Sequence, residues 1–285
     1  MPFVVLTGLA FVKLPEPFYP APSLPFAASR GRDGCYRVRR DRVGRHRGRG
    51  APGEVPRRRG WQGVSVWRYL LTPATGWNRR AAAWGVVALL VVSAAALAVA
   101  PAFMPAGYDL VRHATSESAA QGLAGAWVAR LGFVAFGLAV LWLAAGAAPT
   151  WGRGAVWMHA AFGVCMVGTA AFSHMPWWEG AAFDPVEDLL HSVTATVMGF
   201  AFVFGVMLRL AQRWFGGASA GGAPARGGRR VVLDVVAVVA ASVIPLIMMF
   251  EADVAGLVQR LMFAVAYVWH AAAAWESGAQ RRWRG

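Results

Sequence analysis

The stretch AAAWGVVALLVVSAAALAVAPAF, residues 81–103, decides the fold: it runs without one Asp, Glu, Lys or Arg. An α-helix rises about 1.5 Å per residue, so roughly 20 apolar residues cross the ~30 Å hydrocarbon layer of a bilayer. Five further apolar blocks follow, at about 127–148, 154–175, 188–210, 231–250 and 256–275. Each is long enough to span with some tilt. Pro101 and Pro245 fall near span ends, where a lost backbone hydrogen bond is easier to accommodate.

Composition agrees. Of 285 residues, 57% are hydrophobic and only 15% charged, with a mean hydropathy of +0.45; a soluble domain carries about 25% charged residues. The expected fold is all-α, an integral-membrane bundle of six helices over residues 81–276.

The net charge of +14 invites a nucleic-acid reading, but its distribution argues against one. Residues 1–60 hold 13 Lys+Arg against 4 Asp+Glu, whereas residues 61–285 hold 15 against 10. The excess is concentrated in a tail with Pro15, Pro17, Pro20, Pro22 and Pro25, followed by an Arg/Gly-rich stretch over 30–60. Such a composition does not bury enough apolar surface to offset ordering entropy. Met1–Val12 is apolar but lacks the basic start and clean cleavage site of a signal peptide. Two readings of the tail stand. It is a disordered basic segment that touches anionic lipid or nucleic acid, or translation begins near Val64 or Val66; composition favours the late start. Residues 61–80 then form a cytoplasmic lead-in and 277–285 a basic cytoplasmic tail. No specific nucleic-acid partner is expected. Cys35 and Cys165 stand too far apart in context to form a disulfide framework, and no CxxC site exists.

Charge also orients the bundle. With the N-terminus inside, the inner segments of residues 61–285 carry 12 basic and 2 acidic residues, and the outer ones 3 and 8. Positive charge is retained on the cytoplasmic side, so both termini are expected there. Trp77, Trp84, Trp151, Trp157, Trp214 and Trp275 fall near inner boundaries, and Trp127, Trp177 and Trp178 near outer ones, where amphipathic rings are most stable. Gly132, Gly137, Gly163 and Gly168 are expected to let helices pack closely.

The centres of the spans lack charged residues, which argues against an ion-coupled transporter. Polar chemistry collects instead on the outer side. The first outer loop holds Tyr108, Asp109, Arg112, His113, Ser116 and Glu117. The second runs from His174 through Glu179 and Asp184 to Glu187, Asp188 and His191. The third holds Glu251 and Asp253, then Gln259 and Arg260. If helical, His113 and Glu117 lie at i and i+4 on one face, as do Glu187 and His191. The first expectation for this cluster is helix capping and mutual pairing, with Arg112 and Arg260 against Glu117 and Asp253. A second is a Zn²⁺ site on His113, His174 and His191 with an open position for water, although neither HExxH nor HxxxH is present. A third possibility concerns His159 and His270, which lie at similar depth in spans 3 and 6. They are read as packing polar groups or as axial haem ligands.

Three features resemble a bacterial six-span membrane family known as domain of unknown function 998. They are Tyr108 through Ser116-Glu117, His191 at the head of span 4, and Gly256-Leu257-Val258-Gln259-Arg260 at the start of span 6. The likeness covers about residues 80–276. It implies the six-span architecture and an outer grouping of Ser116, Glu117, His191, Gln259 and Arg260, but no activity.

Two classes of function follow. In one, the bundle sits in the bacterial plasma membrane and binds a lipid or a membrane-protein partner through Tyr108, Arg112, Ser116, Asp188 and Gln259. In the other it is a metal-dependent hydrolase of a lipid or amide. There a zinc held by His113, His174 and His191 activates water, Glu117 acts as general base and Arg260 steadies the oxyanion.

Overall fold

The computed structural model describes residues 79–148, 150–216 and 228–279. The basic tail, the lead-in up to residue 78 and residues 280–285 lie outside the described residues, as do Cys35 and Trp77. Among the described residues, six α-helices make up the fold: α1 Arg79–Val99, α2 Ala126–Ala147, α3 Arg153–Ala171, α4 Pro185–Gly216, α5 Gly228–Phe250 and α6 Ala255–Ala279. Each belongs to a segment long and apolar enough to cross a membrane, and no strand occurs among the described residues. The chain is an all-α, multi-pass membrane bundle.

Local chemistry sets the helix ends. Pro101 has no N–H to donate, and α1 tightens there into a 3₁₀ turn over Ala100–Phe103. Span 3 ends four residues before the expected 175: Phe172 turns extended, and its N–H closes the helix on Gly168 O at 2.8 Å. Asp184 opens α4, its Oδ1 accepting from Val186 N at 2.8 Å, with Pro185 at the first helical position. At 32 residues α4 is about 48 Å long at 1.5 Å per residue, and it overruns the expected end at 210 to reach Gly216.

The helices form a closed ring in chain order, with α6 returning to α1, and α2 also touches α6 across it. Spans connected in sequence alternate direction, so the segments around 104–125, 172–184 and 251–254 share one end, called here the loop end. The other, terminal end carries Arg79, residues 150–152 and Ala279. The most enclosed helix is α2, with 61% of its span window buried against 17–39% for the others. Outward-facing Val91, Val164 and Val232 are 60–61% exposed. Lipid is the solvent that makes such a surface stable; in water it would be an association site.

Close packing depends on the expected glycines. A Cβ on Gly137 would stand 2.6 Å from Gly163 O, so α2 and α3 meet backbone to backbone. The core beside them is aromatic: Phe136 stacks on Tyr267 at 4.4 Å and meets Phe162 edge-on at 5.4 Å. Ser93 Oγ donates to Gly132 O at 2.7 Å and lies 2.6 Å from the Tyr267 hydroxyl, a polar bond joining α1, α2 and α6. The belt tryptophans Trp84, Trp127, Trp157, Trp214 and Trp275 are exposed, but Trp151 is buried at 5%. That corrects its expected interfacial role, and the reason lies in the charged network at the terminal end described below.

Candidate functional site

The first outer loop folds on itself before it meets anything else. Asp109 Oδ1 accepts from Val111 N at 2.7 Å and Arg112 N at 3.2 Å, which holds the Asp109 carboxyl below its ordinary value. Asp109 N donates to His113 Nδ1 at 2.8 Å. Glu117 folds back to accept from Ala114 N. The expected helix over His113–Glu117 does not form. A 3₁₀ turn begins only at Ser116 and runs to Ala119, so the His113 ring and the Glu117 carboxylate serve different partners. Ser116 opens that turn and is half-buried.

The folded loop is then fastened to α6. Gly256 N donates to Arg112 O at 3.2 Å, Leu257 N to Val111 O at 2.9 Å and Thr115 N to Gln259 Oε1 at 2.5 Å. Arg112 pairs with Asp253 at 3.1 Å, as expected, but both side chains are well exposed, so the pair adds little stability. Gly256 is required by closeness: a Cβ there would overlap the His113 carbonyl and stand 2.7 Å from Leu110 O.

Arg260 departs from expectation. Among the described residues its guanidinium takes no carboxylate. Nη1 donates to the carbonyls of Leu110, His113 and Gly256 at 2.7–2.9 Å, and Nη2 donates to the Tyr108 hydroxyl at 2.8 Å. Four neutral acceptors thus satisfy the cation. Burial raises the pKa of the Tyr108 phenol, and Arg260 partly offsets that rise.

The second outer loop supplies aromatic rings. Trp177 lies 5.1 Å from Tyr108, 5.2 Å from His113 and 5.0 Å from Trp178, and Tyr108 lies 5.3 Å from His113. The four rings form one cluster, with Trp178 41% exposed. Behind it, Asp188 Oδ1 accepts from Met175 N at 2.8 Å and lies 3.1 Å from His174 Nδ1. His191 is buried with its Nδ1 2.8 Å from Phe172 O, and Glu187 accepts from Ser173 N at 2.7 Å. The helical spacing in α4 is as expected, but Asp188 and Glu187 reach back to the preceding loop and do not orient His191.

The expected zinc triad is not brought together. His174 and His191 are neighbours at 5.2 Å between ring centroids, while His113 packs against Tyr108 and Trp177 and accepts a backbone N–H on Nδ1. Among the described residues no group of three or more His, Cys, Asp or Glu has a geometry that could hold a metal ion. The haem pair also fails on space. His159 and His270 are fully buried and touch edge-on at 5.5 Å, so their own contact fills the gap a porphyrin would need. Trp269 stacks on His159 at 4.7 Å, and Phe162 and Phe202 flank His270. These are packing histidines.

Two groups escaped the reading of the sequence. Gln121 clamps the second loop: its Nε2 donates to Ser173 O at 3.1 Å and Asp184 O at 3.0 Å, and its Oε1 accepts from Asp184 N at 2.7 Å. No pattern marks a lone glutamine for that role. At the terminal end, Arg209, Arg213, Asp234 and Glu276 read in the sequence as inner-side charges, yet they form one network in which Arg209 and Asp234 are buried and Arg213 and Glu276 half-buried. Arg213 bonds both oxygens of Glu276 at 3.2 and 2.9 Å and reaches Asp234 at 3.0 Å; Trp269 Nε1 donates to Asp234 at 2.8 Å. Arg209 lies over Trp151 at 4.9 Å, and His159 and Trp269 pack against the same ring, so it is buried.

Compared with known proteins, the chain matches no curated protein and no solved structure. The profile of one family, described as "Protein of unknown function (DUF998)", matches residues 86–276. That span runs from the first turns of α1 to Glu276 in α6 and contains the whole loop-end cluster. By this match, the chain belongs to the DUF998 family.

Proposed function

We propose that this bundle is a membrane-resident binding protein, not an enzyme, and that its loop end receives the cationic headgroup of a zwitterionic lipid. The observation that supports this is the four-ring cluster of Tyr108, His113, Trp177 and Trp178, with centroids 5.0–5.3 Å apart, at the acidic end of the molecule. That end carries Asp109, Glu117, Glu179, Asp184, Glu187, Asp188, Glu251 and Asp253 against Arg112, Arg130 and Arg260. An ammonium group against such rings gains about 0.5–2 kcal/mol, depending on how dry the site is. The anionic surroundings favour cations and repel anionic lipids. The charge asymmetry of the loops supports an outward-facing loop end, with both termini in the cytoplasm of a bacterial cell and the bundle in its plasma membrane.

A metal-dependent hydrolase would need Glu117 and Arg260 available. Glu117 closes its own turn, and Arg260 is committed to three carbonyls and a phenol. Those bonds hold the loop on α6 and would have to break before either residue acted on a substrate.

Native mass spectrometry of the detergent-purified protein tests the reading. Phosphatidylethanolamine adducts are expected on the wild type and are expected to fall in Trp177→Ala. Equal retention by the two proteins would refute it. A co-purifying basic protein whose capture depends on Trp177 would transfer the site to a protein partner.

A further inference from the structure

At the opposite, terminal end, an open recess of about 390 Å³ is lined by Thr150, Trp151, Gly152, Arg209, Gln212 and Arg213. It belongs to none of the loop-end chemistry. We infer that this recess, where the α3 N-terminus meets the buried Arg209, binds a phosphate-class oxyanion.

The first argument is charge balance. Among the described residues, Arg209, Arg213 and the half-buried Arg230 share this end of the bundle with two carboxylates, Asp234 and Glu276. Arg213 bonds both oxygens of Glu276, and its Nε lies 3.0 Å from Asp234 Oδ2 as an ion pair without a hydrogen bond, while Trp269 donates to Asp234 Oδ1. Arg230 donates to the Ala272 carbonyl. Arg209 is left with a neutral amide, Gln212 Oε1, at 3.0 Å and with Glu276 at a distant 3.9 Å. It is 93% buried, at 7% exposure, and among the described residues its Nε has no hydrogen-bond partner. A cation held this far from water and short of an anion is costly unless a counter-charge arrives from outside.

The second argument is the helix that opens there. Gly152 is the N-cap of the 19-residue α3, no side chain caps it, and its first turn holds no acidic residue; Arg153 stands at the first helical position. A helix N-terminus carries a partial positive charge and free N–H groups, and an arginine there compounds the charge instead of complementing it. An anion in the recess would complement the helix end and Arg209 together. Trp151 fixes the guanidinium by lying against it at 4.9 Å. Gln212 packs against Gly152 closely enough that a Cβ there would overlap its amide nitrogen.

The shared chemistry is a tetrahedral phosphate oxygen set, which an anionic phospholipid or a soluble phosphate can present. Exposed Trp84, Trp157, Trp214 and Trp275 ring the same end at interfacial positions, so a lipid phosphate has access from the membrane.

The test uses full-length protein, probed with phosphatidylglycerol in nanodiscs and, separately, with inorganic phosphate in detergent. Two variants are compared: Arg209→Gln, which removes the uncompensated charge, and Gly152→Leu, which keeps it but fills the recess. If lipid is the source, phosphatidylglycerol retention by native mass spectrometry falls about tenfold in both, the loss expected for a charge-assisted contact, while Trp177→Ala leaves it unchanged. If soluble phosphate is the source, inorganic phosphate raises the wild-type melting temperature and neither variant responds. Should Arg209→Gln fail to fold, Gly152→Leu alone decides. Wild-type-like binding of both probes by Gly152→Leu, or binding of neither probe by the wild type, overturns the inference.

Discussion

Arg260 Nη2 donates to the Tyr108 hydroxyl at 2.8 Å, and this one bond joins the loop after the first span to the start of the last. The same guanidinium holds the carbonyls of Leu110 and His113, so one side chain braces the loop that carries Tyr108 and His113 of the aromatic cluster. Arg260→Lys keeps the charge but loses the fork that reaches all four acceptors. It is expected to cost about 2 kcal/mol, because several partly buried acceptors lose a charged donor. Hydrogen exchange should rise across 108–117 and stay unchanged in α2. Uniform protection in the variant would contradict the account.

Gly256→Ala probes the same junction from the backbone side. The added methyl has to displace the His113 carbonyl, so a loss of about 1–3 kcal/mol is expected. Thermal unfolding in detergent measures it. Gly107→Ala is not a suitable control, since its φ of 99° is itself strained for an L-residue.

Two loop-end groups carry opposite pH signatures. The folded Asp109 carboxyl sits below its ordinary 3.8 because the Val111 and Arg112 amides bond its charged form. Between that lower value and 3.8 the unfolded loop binds the extra proton, so the turn weakens as pH falls through this window. The Val111 amide resonance should titrate with a midpoint below 3.8 and lose that titration in Asp109→Asn. The Tyr108 phenol is raised above 10.0 by burial, so its contribution is present below pH 10 and is lost as pH climbs toward the folded value. Tyr108→Phe should flatten the alkaline fall of the melting temperature.

At the terminal end, Asp234 is 1% exposed, accepts from Trp269 and forms an ion pair with Arg213 at 3.0 Å. Asp234→Ala leaves Glu276 alone to balance Arg209 and Arg213, and about 3 kcal/mol of destabilisation is expected from breaking a buried pair on one side. Chemical unfolding would show it; a change under 1 kcal/mol would mean that water solvates the network.

The spans were legible because lipid demands a nearly unbroken apolar run, and α1, α2, α5 and α6 begin within three residues of where that run does. The loop-end grouping was legible in outline, since connected spans must bring their outer segments to one side. Apart from Arg112 with Asp253, its pairings were not. Arg260 was expected beside an acid, but the fold brings a bent loop whose carbonyls point at it, a fact of backbone direction that residue spacing does not encode. His113 and Glu117 were separated because the chain between them turns before it coils. Arg209 and Asp234 looked like ordinary inner-side charges; only the overrun of α4 and the packing of Trp151 reveal that they are buried.

The central claim is that the loop end holds a cationic lipid headgroup, and site-mapped photo-crosslinking tests it most directly. Phosphatidylethanolamine carrying a photoreactive group at the headgroup would be incorporated into nanodiscs with the full-length protein. The account predicts adducts confined to residues 104–118 and 172–184, lost in Trp177→Ala. Adducts spread along the outward faces of the helices, or unchanged in that variant, would contradict it.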